Sequence, residues 1–272
     1  GAIDAVESGQ CNIAIVSYGS NQRSAKSRSL AGVLENHTPQ NFFEYSQGVL
    51  SPLSLYALVA QRGFYEWDIN SQDLAEVAVN SRKWAQLNKK AYHYSSGELK
   101  VQDVLDSGLI SSPLHKLDCC LVTDGGGAVL ITNDKIADKL NLPKIKTTGF
   151  GQRDTHISYS QMPNYLITGA KASSEEALKQ SGMRLSDIDV LQVYDSFTIT
   201  VLSTLASIGL AEPKKIIEMF QEGEFYKGGR YPLNTSGGGL SYCHPGMLGL
   251  LLVIEAVNQL SGKLKDRQVN GA

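Results

Sequence analysis

Residues 247–257 read Met-Leu-Gly-Leu-Leu-Leu-Val-Ile-Glu-Ala-Val, with one charge, Glu255, in eleven positions. A helix that is apolar around its whole circumference has no face to offer water. The run 197–208, Phe-Thr-Ile-Thr-Val-Leu-Ser-Thr-Leu-Ala-Ser-Ile, has the same character. No apolar run reaches the roughly twenty residues that a membrane span requires. Both helices must therefore be covered by protein on every side. Strand-like runs alternate with the helical ones, at 11–17, 117–123, 128–132, 144–150 and 188–193. That alternation predicts an α/β fold with mostly parallel sheets on either side of a central helical layer.

The other elements follow from punctuation. Ser51-Pro52 opens a helix over 51–62, with Leu53, Leu55, Tyr56, Leu58 and Val59 inward. Ser71-Gln-Asp-Leu74 starts another, with Leu74, Val77, Ala78, Ser81 and Trp84 at helical spacing. A short helix is expected over 102–107, and turns or loops over 18–28 and 92–97. Asp124-Gly-Gly-Gly127 lies between two strands with no helix after it, so it reads as a tight turn and not a phosphate cradle. Ser173-Ser-Glu-Glu176 caps a helix that Gly182 ends.

These elements divide the chain at about residue 150. Residues 1–150 form a first half with an inserted segment over about 38–115, and 151–272 form a second half. Each half contains the series helix, Ser-Gly, polar residue, apolar strand, at Ser8-Gly9 and at Ser181-Gly182. This is a faint internal duplication. The first helix has little before it, and the chain stops where a further strand is expected, so both ends look truncated.

Net charge is −2, which provides no basic footprint for nucleic acid or for an anionic membrane surface. Of the cysteines, Cys11, Cys119, Cys120 and Cys243, three lie in apolar strand-like runs, which suits buried thiols of a reducing cytoplasm. Cys119 and Cys120 are adjacent and would face opposite sides of a strand, so they make no metal pair. His93 and His115 have no partner at metal spacing, and His37 and His156 are no better placed; no metal site is expected.

Two constellations carry chemistry. Residues 234–249, Asn-Thr-Ser-Gly-Gly-Gly-Leu-Ser-Tyr-Cys-His-Pro-Gly-Met-Leu-Gly, lead three glycines and two hydroxyls into His244. Pro245 fits the first turn of a helix running over about 246–260, with Gly262 to end it. His244 would face the positive end of that helix, which favours the neutral imidazole that a base or hydrogen-bond donor needs. The second is Val193-Tyr-Asp-Ser-Phe-Thr198, where a strand end meets a helix start, as ligand sites of α/β sheets do. Tyr194 supplies a phenol, Asp195 a carboxylate, and Ser196 a helix cap.

Together these stretches resemble the thiolase superfamily, and most of all its sterol-carrier-protein-x or lipid-transfer-protein branch. Leu117-Asp-Cys-Cys-Leu-Val-Thr-Asp-Gly-Gly-Gly-Ala128, Ser51-Pro-Leu-Ser-Leu-Tyr-Ala57 and Leu74-Ala-Glu-Val-Ala78 extend the likeness over nearly the whole chain. The resemblance implies a layered αβαβα fold of two similar halves, the first incomplete here. It also implies a coenzyme A thioester as substrate, no tightly bound cofactor, a homodimer, and often a small partner with an oligonucleotide-binding fold and zinc ribbon. The family's His-Pro-Gly histidine matches His244, and its Asn-Glu-Ala-Phe motif matches Tyr194-Asp195-Ser196-Phe197.

On that likeness His244, Tyr194 and Asp195 are the expected catalytic residues, with Ser196, Gly238, Gly239 and Ser241 binding substrate. The family's nucleophilic cysteine would precede Gly1, and its second catalytic cysteine would follow Ala272. The implied activity is acyl transfer by Claisen condensation or thiolysis of a 3-ketoacyl-CoA. Some relatives that cleave steroid side chains by retro-aldol chemistry carry a tyrosine where Tyr194 stands but tend to lack the histidine matched by His244. This chain mixes the two patterns, and an aldolase-type lyase is the alternative. A non-catalytic acyl-CoA or lipid-binding module is a third reading.

Overall fold

A computed structural model describes residues 1–27, 39–140, 143–156 and 158–272. In chain order its elements are α1 (Ala2–Glu7), β1 (Ile13–Ser20), α2 (Pro39–Ser46), α3 (Pro52–Trp67), α4 (Ser71–Ala85) and α5 (Val101–Leu105). There follow β2 (Leu109–Ser111), β3 (Leu114–His115), β4 (Gly125–Thr132), α6 (Asp134–Leu140), α7 (Ala170–Ser181), α8 (Thr198–Ser207), α9 (Pro213–Gln221) and α10 (Gly249–Leu260). Arg28 and His37 lie outside the described residues, as does the start of the inserted segment at residue 38.

Helix α8 is the centre of the molecule. Ile199, Val201, Leu202 and Leu205 are sealed in the largest apolar cluster, together with Leu53 and Ala60 of α3 and Ile216 and Phe220 of α9. Most of its surface is buried, as its composition requires, with Thr200, Thr204 and Ala206 half-buried. Its neighbours are helices, since α3, α4, α7 and α9 all pack on it. The expected sheet on either side is replaced there by a helical shell.

Helix α10 differs. Leu251 and Leu252 are buried, but Val253 is 49% exposed and Leu260 51%. Its single charge points inward: Glu255 is 4% exposed and accepts a bidentate pair of bonds from Arg267, at 3.1 Å and 3.0 Å. The Thr235 hydroxyl donates to the same carboxylate at 2.7 Å. A buried charge is tolerated only when paired and hydrogen-bonded, and here it is both. The helix is apolar on a surface it partly exposes, and charged where it is covered.

The sheets are antiparallel. β1 pairs with β4 from Ile13↔Thr132 to Ser20↔Gly125, and β2 with β3. The one parallel contact among the described residues is the isolated bridge Leu191↔Leu233. The predicted strand 188–193 pairs with residues 232–234 through the backbone at Leu191 only, and at Val193 the Asn234 side chain takes both polar groups, at 2.8 Å and 2.9 Å. An amide side chain here replaces a neighbouring strand.

β1 is also not the buried strand predicted over 11–17. The helices packed against the ribbon, α1 and α10, leave Ile13, Ile15 and Val16 exposed. Residues 117–123 begin as a single 3-10 turn and continue extended, with one bridge at Cys119, and 144–150 form no strand. The three glycines predicted as a turn lie inside β4 instead. A Cβ on Gly127 would overlap Ile254 Cδ1, and one on Gly125 would sit 2.6 Å from Cys243 Sγ. Glycine is needed most at Gly126, where a Cβ would sit 2.7 Å from the Tyr18 carbonyl oxygen and 2.9 Å from Gly19 Cα, both backbone atoms of β1. The duplicated Ser-Gly pairs do share geometry, since Gly9 and Gly182 both end helices at positive φ, +75° and +69°.

Candidate active site

The glycine-rich stretch folds as one tight coil over Gly238–Tyr242, preceded by Gly237 at φ +100°. Asp195 organises it. Its carboxylate is fully buried and accepts the Gly239 N–H at 2.7 Å and the Leu240 N–H at 3.1 Å. A Cβ on Gly238, whose φ is +59°, would overlap Asp195 Oδ2. Burial outweighs these hydrogen bonds and pushes the Asp195 carboxyl up to about 7.

The other amides of the coil are occupied too. Gly238 donates to Ser236 Oγ at 3.2 Å, and Ser241 to the Gly237 carbonyl at 2.9 Å. The amides of Gly238, Gly239 and Ser241 thus have acceptors within the protein, and all three residues are buried. Ser196 is not the helix cap expected of it. α8 begins at Thr198 with Phe197 as its N-cap, one residue later than a Ser196 cap requires. The Ser196 hydroxyl instead meets Thr200 Oγ1 at 3.1 Å.

His244 is not at a helix mouth. α10 starts at Gly249 with Leu248 as its N-cap, so Pro245 lies outside the helix and the expected dipole contact is absent. The cause is Gly246, whose φ of +105° turns the chain before the helix can begin. Gln22 packs against that turn, and the Tyr18 hydroxyl donates to the Pro245 carbonyl at 2.8 Å.

The structure joins the two constellations through one contact. Tyr194 Oη lies 3.1 Å from His244 Nε2, with the rings edge to face at 5.7 Å. The Leu248 N–H also donates to Tyr194 Oη, at 3.3 Å. The two residues differ sharply in access: His244 is 1% exposed and Tyr194 is 36% exposed. Of the two residues, Tyr194 is the one that reaches solvent. A phenol oxygen that accepts an amide N–H can direct its own proton to an imidazole and still accept from a ligand.

Some functional contacts had no sequence signal. Thr123, at the end of a strand-like run, accepts the His244 N–H at 3.0 Å and lies 3.2 Å from Cys243 Sγ. Both also line a cavity of about 280 Å³, with Lys90, Tyr92 and Tyr242. Burial pushes the Cys119 thiol up to about 12 and raises that of Cys243, so neither is a ready thiolate. Among the described residues no group of three or more His, Cys, Asp or Glu side chains is placed to hold a metal ion. No described helix is long and apolar enough to cross a membrane.

A helical centre beside a coil gated by a histidine and a tyrosine defines an α/β protein of thiolase-like fold, and comparisons agree. A family model described as "Thiolase C-terminal domain-like" matches residues 151–272. The benzoylsuccinyl-CoA thiolase subunit BbsB of Thauera aromatica is 31% identical over 219 residues, 79% of this chain and 56% of that protein. A steroid side-chain-cleaving aldolase of Thermomonospora curvata is 33% identical over 222 residues, again 79% and 56%. The solved structure titled Ltp2-ChsH2(DUF35) aldolase matches with a TM-score of 0.84 and 29% identity, covering 98% of this chain and 69% of that one. The chain belongs to the thiolase superfamily. It spans a little over half the length of the curated relatives it matches.

Proposed function

We propose that this chain carries the proton-transfer site of a lyase that cleaves a carbon–carbon bond in a coenzyme A-linked β-hydroxy thioester by retro-aldol chemistry. The observation behind it is the pair Tyr194–His244, with the phenol exposed and the imidazole buried. Tyr194 Oη takes the β-hydroxyl proton as its own proton passes to His244 Nε2. The electron pair of the Cα–Cβ bond becomes the thioester enolate, and the β-carbon leaves as a carbonyl. The proton then returns through Tyr194 to Cα, giving a ketone and a shortened acyl-CoA. The Leu248 N–H steadies the phenolate character of Tyr194 while the proton is displaced.

In this reading Tyr194 is the catalytic residue and His244 its proton acceptor. Asp195, Gly238, Gly239 and Ser241 position them, and Ser196 supports the start of α8. The aldolase titles of two of the relatives support the same chemistry. Thiolase-type acyl transfer is the second reading, favoured by the relative titled a benzoylsuccinyl-CoA thiolase subunit. It needs a thiolate, which on the family likeness comes from a cysteine before Gly1 and not from the buried Cys119 or Cys243. The structure titled Ltp2-ChsH2(DUF35) names two components, and BbsB is named as a subunit, which supports a partner protein beside this chain.

The test is product analysis of the intact protein, with and without its partner. A β-hydroxyacyl-CoA should yield equimolar ketone and shortened acyl-CoA with no dependence on free coenzyme A. Cleavage of a 3-ketoacyl-CoA that strictly requires free coenzyme A would replace this reading with the thiolase one.

A further inference from the structure

Thr123 is distant from both site motifs in sequence, and its side chain is 6% exposed. A buried hydroxyl is costly unless its hydrogen bonds are used. Here they are directed at His244, which opens the His-Pro-Gly turn, and at Cys243 just before it: Oγ1 accepts the His244 N–H at 3.0 Å and meets Cys243 Sγ at 3.2 Å. The Thr123 N–H completes the clamp by donating to the His244 carbonyl at 3.3 Å. Both polar groups of the His244 backbone are thus held by one residue from the other half of the chain.

The surroundings show why a clamp matters at this point. Residue 246 turns at φ +105° and α10 starts only at Gly249, so no helix fixes the backbone of residues 243–245. On the other side the Gly238–Tyr242 coil ends, and Cys243 is in an extended conformation. His244 therefore sits between two elements without belonging to either. Its Nε2 must nevertheless stay 3.1 Å from the Tyr194 phenol, which is fixed by a different segment. A shift of half an ångström in the His244 backbone breaks that geometry.

We propose that Thr123 is a positioning residue that sets the Tyr194–His244 hydrogen bond by clamping the main chain at His244. The clamp rests on the hydrogen bonds of Thr123, and its effect on turnover rests on the aldolase reading. Thr123 touches no reacting atom; it acts through His244. Replacing it by valine keeps the shape and removes the acceptor, which leaves the buried His244 N–H unpaired. Serine retains the acceptor.

The experiment uses the intact protein with tyrosine labelled at Cζ with ¹³C, and the Tyr194 resonance assigned by its loss in Tyr194→Phe. At one fixed pH, Thr123→Val should move the Tyr194 signal toward its position in His244→Ala, and Thr123→Ser should leave it in place. In a His244→Ala background, Thr123→Val should cause no further movement. With a substrate, kcat should fall roughly tenfold in Thr123→Val with KM held, and recover in Thr123→Ser. If Thr123→Val does not fold, Thr123→Ala, which leaves room for a water, takes its place in every measurement. An unmoved signal, or the same movement with and without His244, overturns the proposal. A signal that moves as expected in a protein that cleaves no β-hydroxyacyl-CoA retains the clamp and rejects the aldolase reading instead.

Discussion

Tyr194 Oη and His244 Nε2 are 3.1 Å apart, although fifty residues separate them in the chain and only the tyrosine reaches solvent. Tyr194→Phe keeps the ring and removes the proton carrier. We expect kcat for β-hydroxyacyl-CoA cleavage to fall ~10²–10⁴-fold with the fold unchanged, checked by product formation and near-UV circular dichroism. His244→Ala in the same background should add little, because the two act as one unit. Full additivity of the two losses would show that they act separately.

Asp195 should make stability depend on pH. Its folded carboxyl is raised to about 7, against about 3.9 when unfolded. The folded state therefore holds the proton more tightly, and its contribution is fully present below about pH 4 and lost as pH rises toward 7. In that window wild type should lose up to ~1.4 kcal/mol per pH unit relative to Asp195→Asn, followed by urea denaturation. Parallel curves for the two proteins would disprove the raised carboxyl.

Gly238→Ala should fail for two reasons. Its backbone is left-handed, which costs an alanine ~1–2 kcal/mol, and the new Cβ overlaps the Asp195 carboxylate. Thermal melts should show that loss, and activity should fall further than stability because Asp195 is displaced. Gly228→Ala provides the control: it too has positive φ, +90°, but a Cβ there meets nothing within 4 Å.

Glu255 and Arg267 form a buried pair whose halves should be unequal to their sum. Glu255→Leu or Arg267→Met alone leaves a largely buried guanidinium or a buried carboxylate unmatched and should cost roughly 3–5 kcal/mol in denaturant unfolding. Combining a Glu255→Leu change with Arg267→Met should recover much of that loss. If the double variant is as unstable as the sum of the singles, the pair is not coupled.

Thr198 and Asp118 illustrate how part of the framework stayed illegible in the sequence. The Thr198 hydroxyl donates to the buried Asp118 carboxylate at 2.7 Å, which joins the first turn of α8 to a segment eighty residues earlier. Asp118 looked like one polar residue in a strand-like run. In the structure it ends a 3-10 turn and accepts the His115 N–H as well. The helices were legible because apolar periodicity and caps are local: α3 and α4 start within a residue or so of their predicted positions. The strands were less so, because a β-branched run states that a segment is extended but not what it pairs with.

By itself the sequence determined that α8 is largely enclosed, that helices alternate with extended segments, and that Tyr194 and His244 are the candidate site residues. Each depends on composition or spacing within a few residues. Tertiary structure alone decided that Glu255 points inward to Arg267, that the glycines of β4 make room for Ile254 and Cys243, and that Thr123 holds His244. It also decided that Asp195 is buried behind the glycine coil while Tyr194 faces the solvent. Hydrogen-bond partners and exposure are set by segments far apart in the chain, and no local pattern encodes which of them will meet.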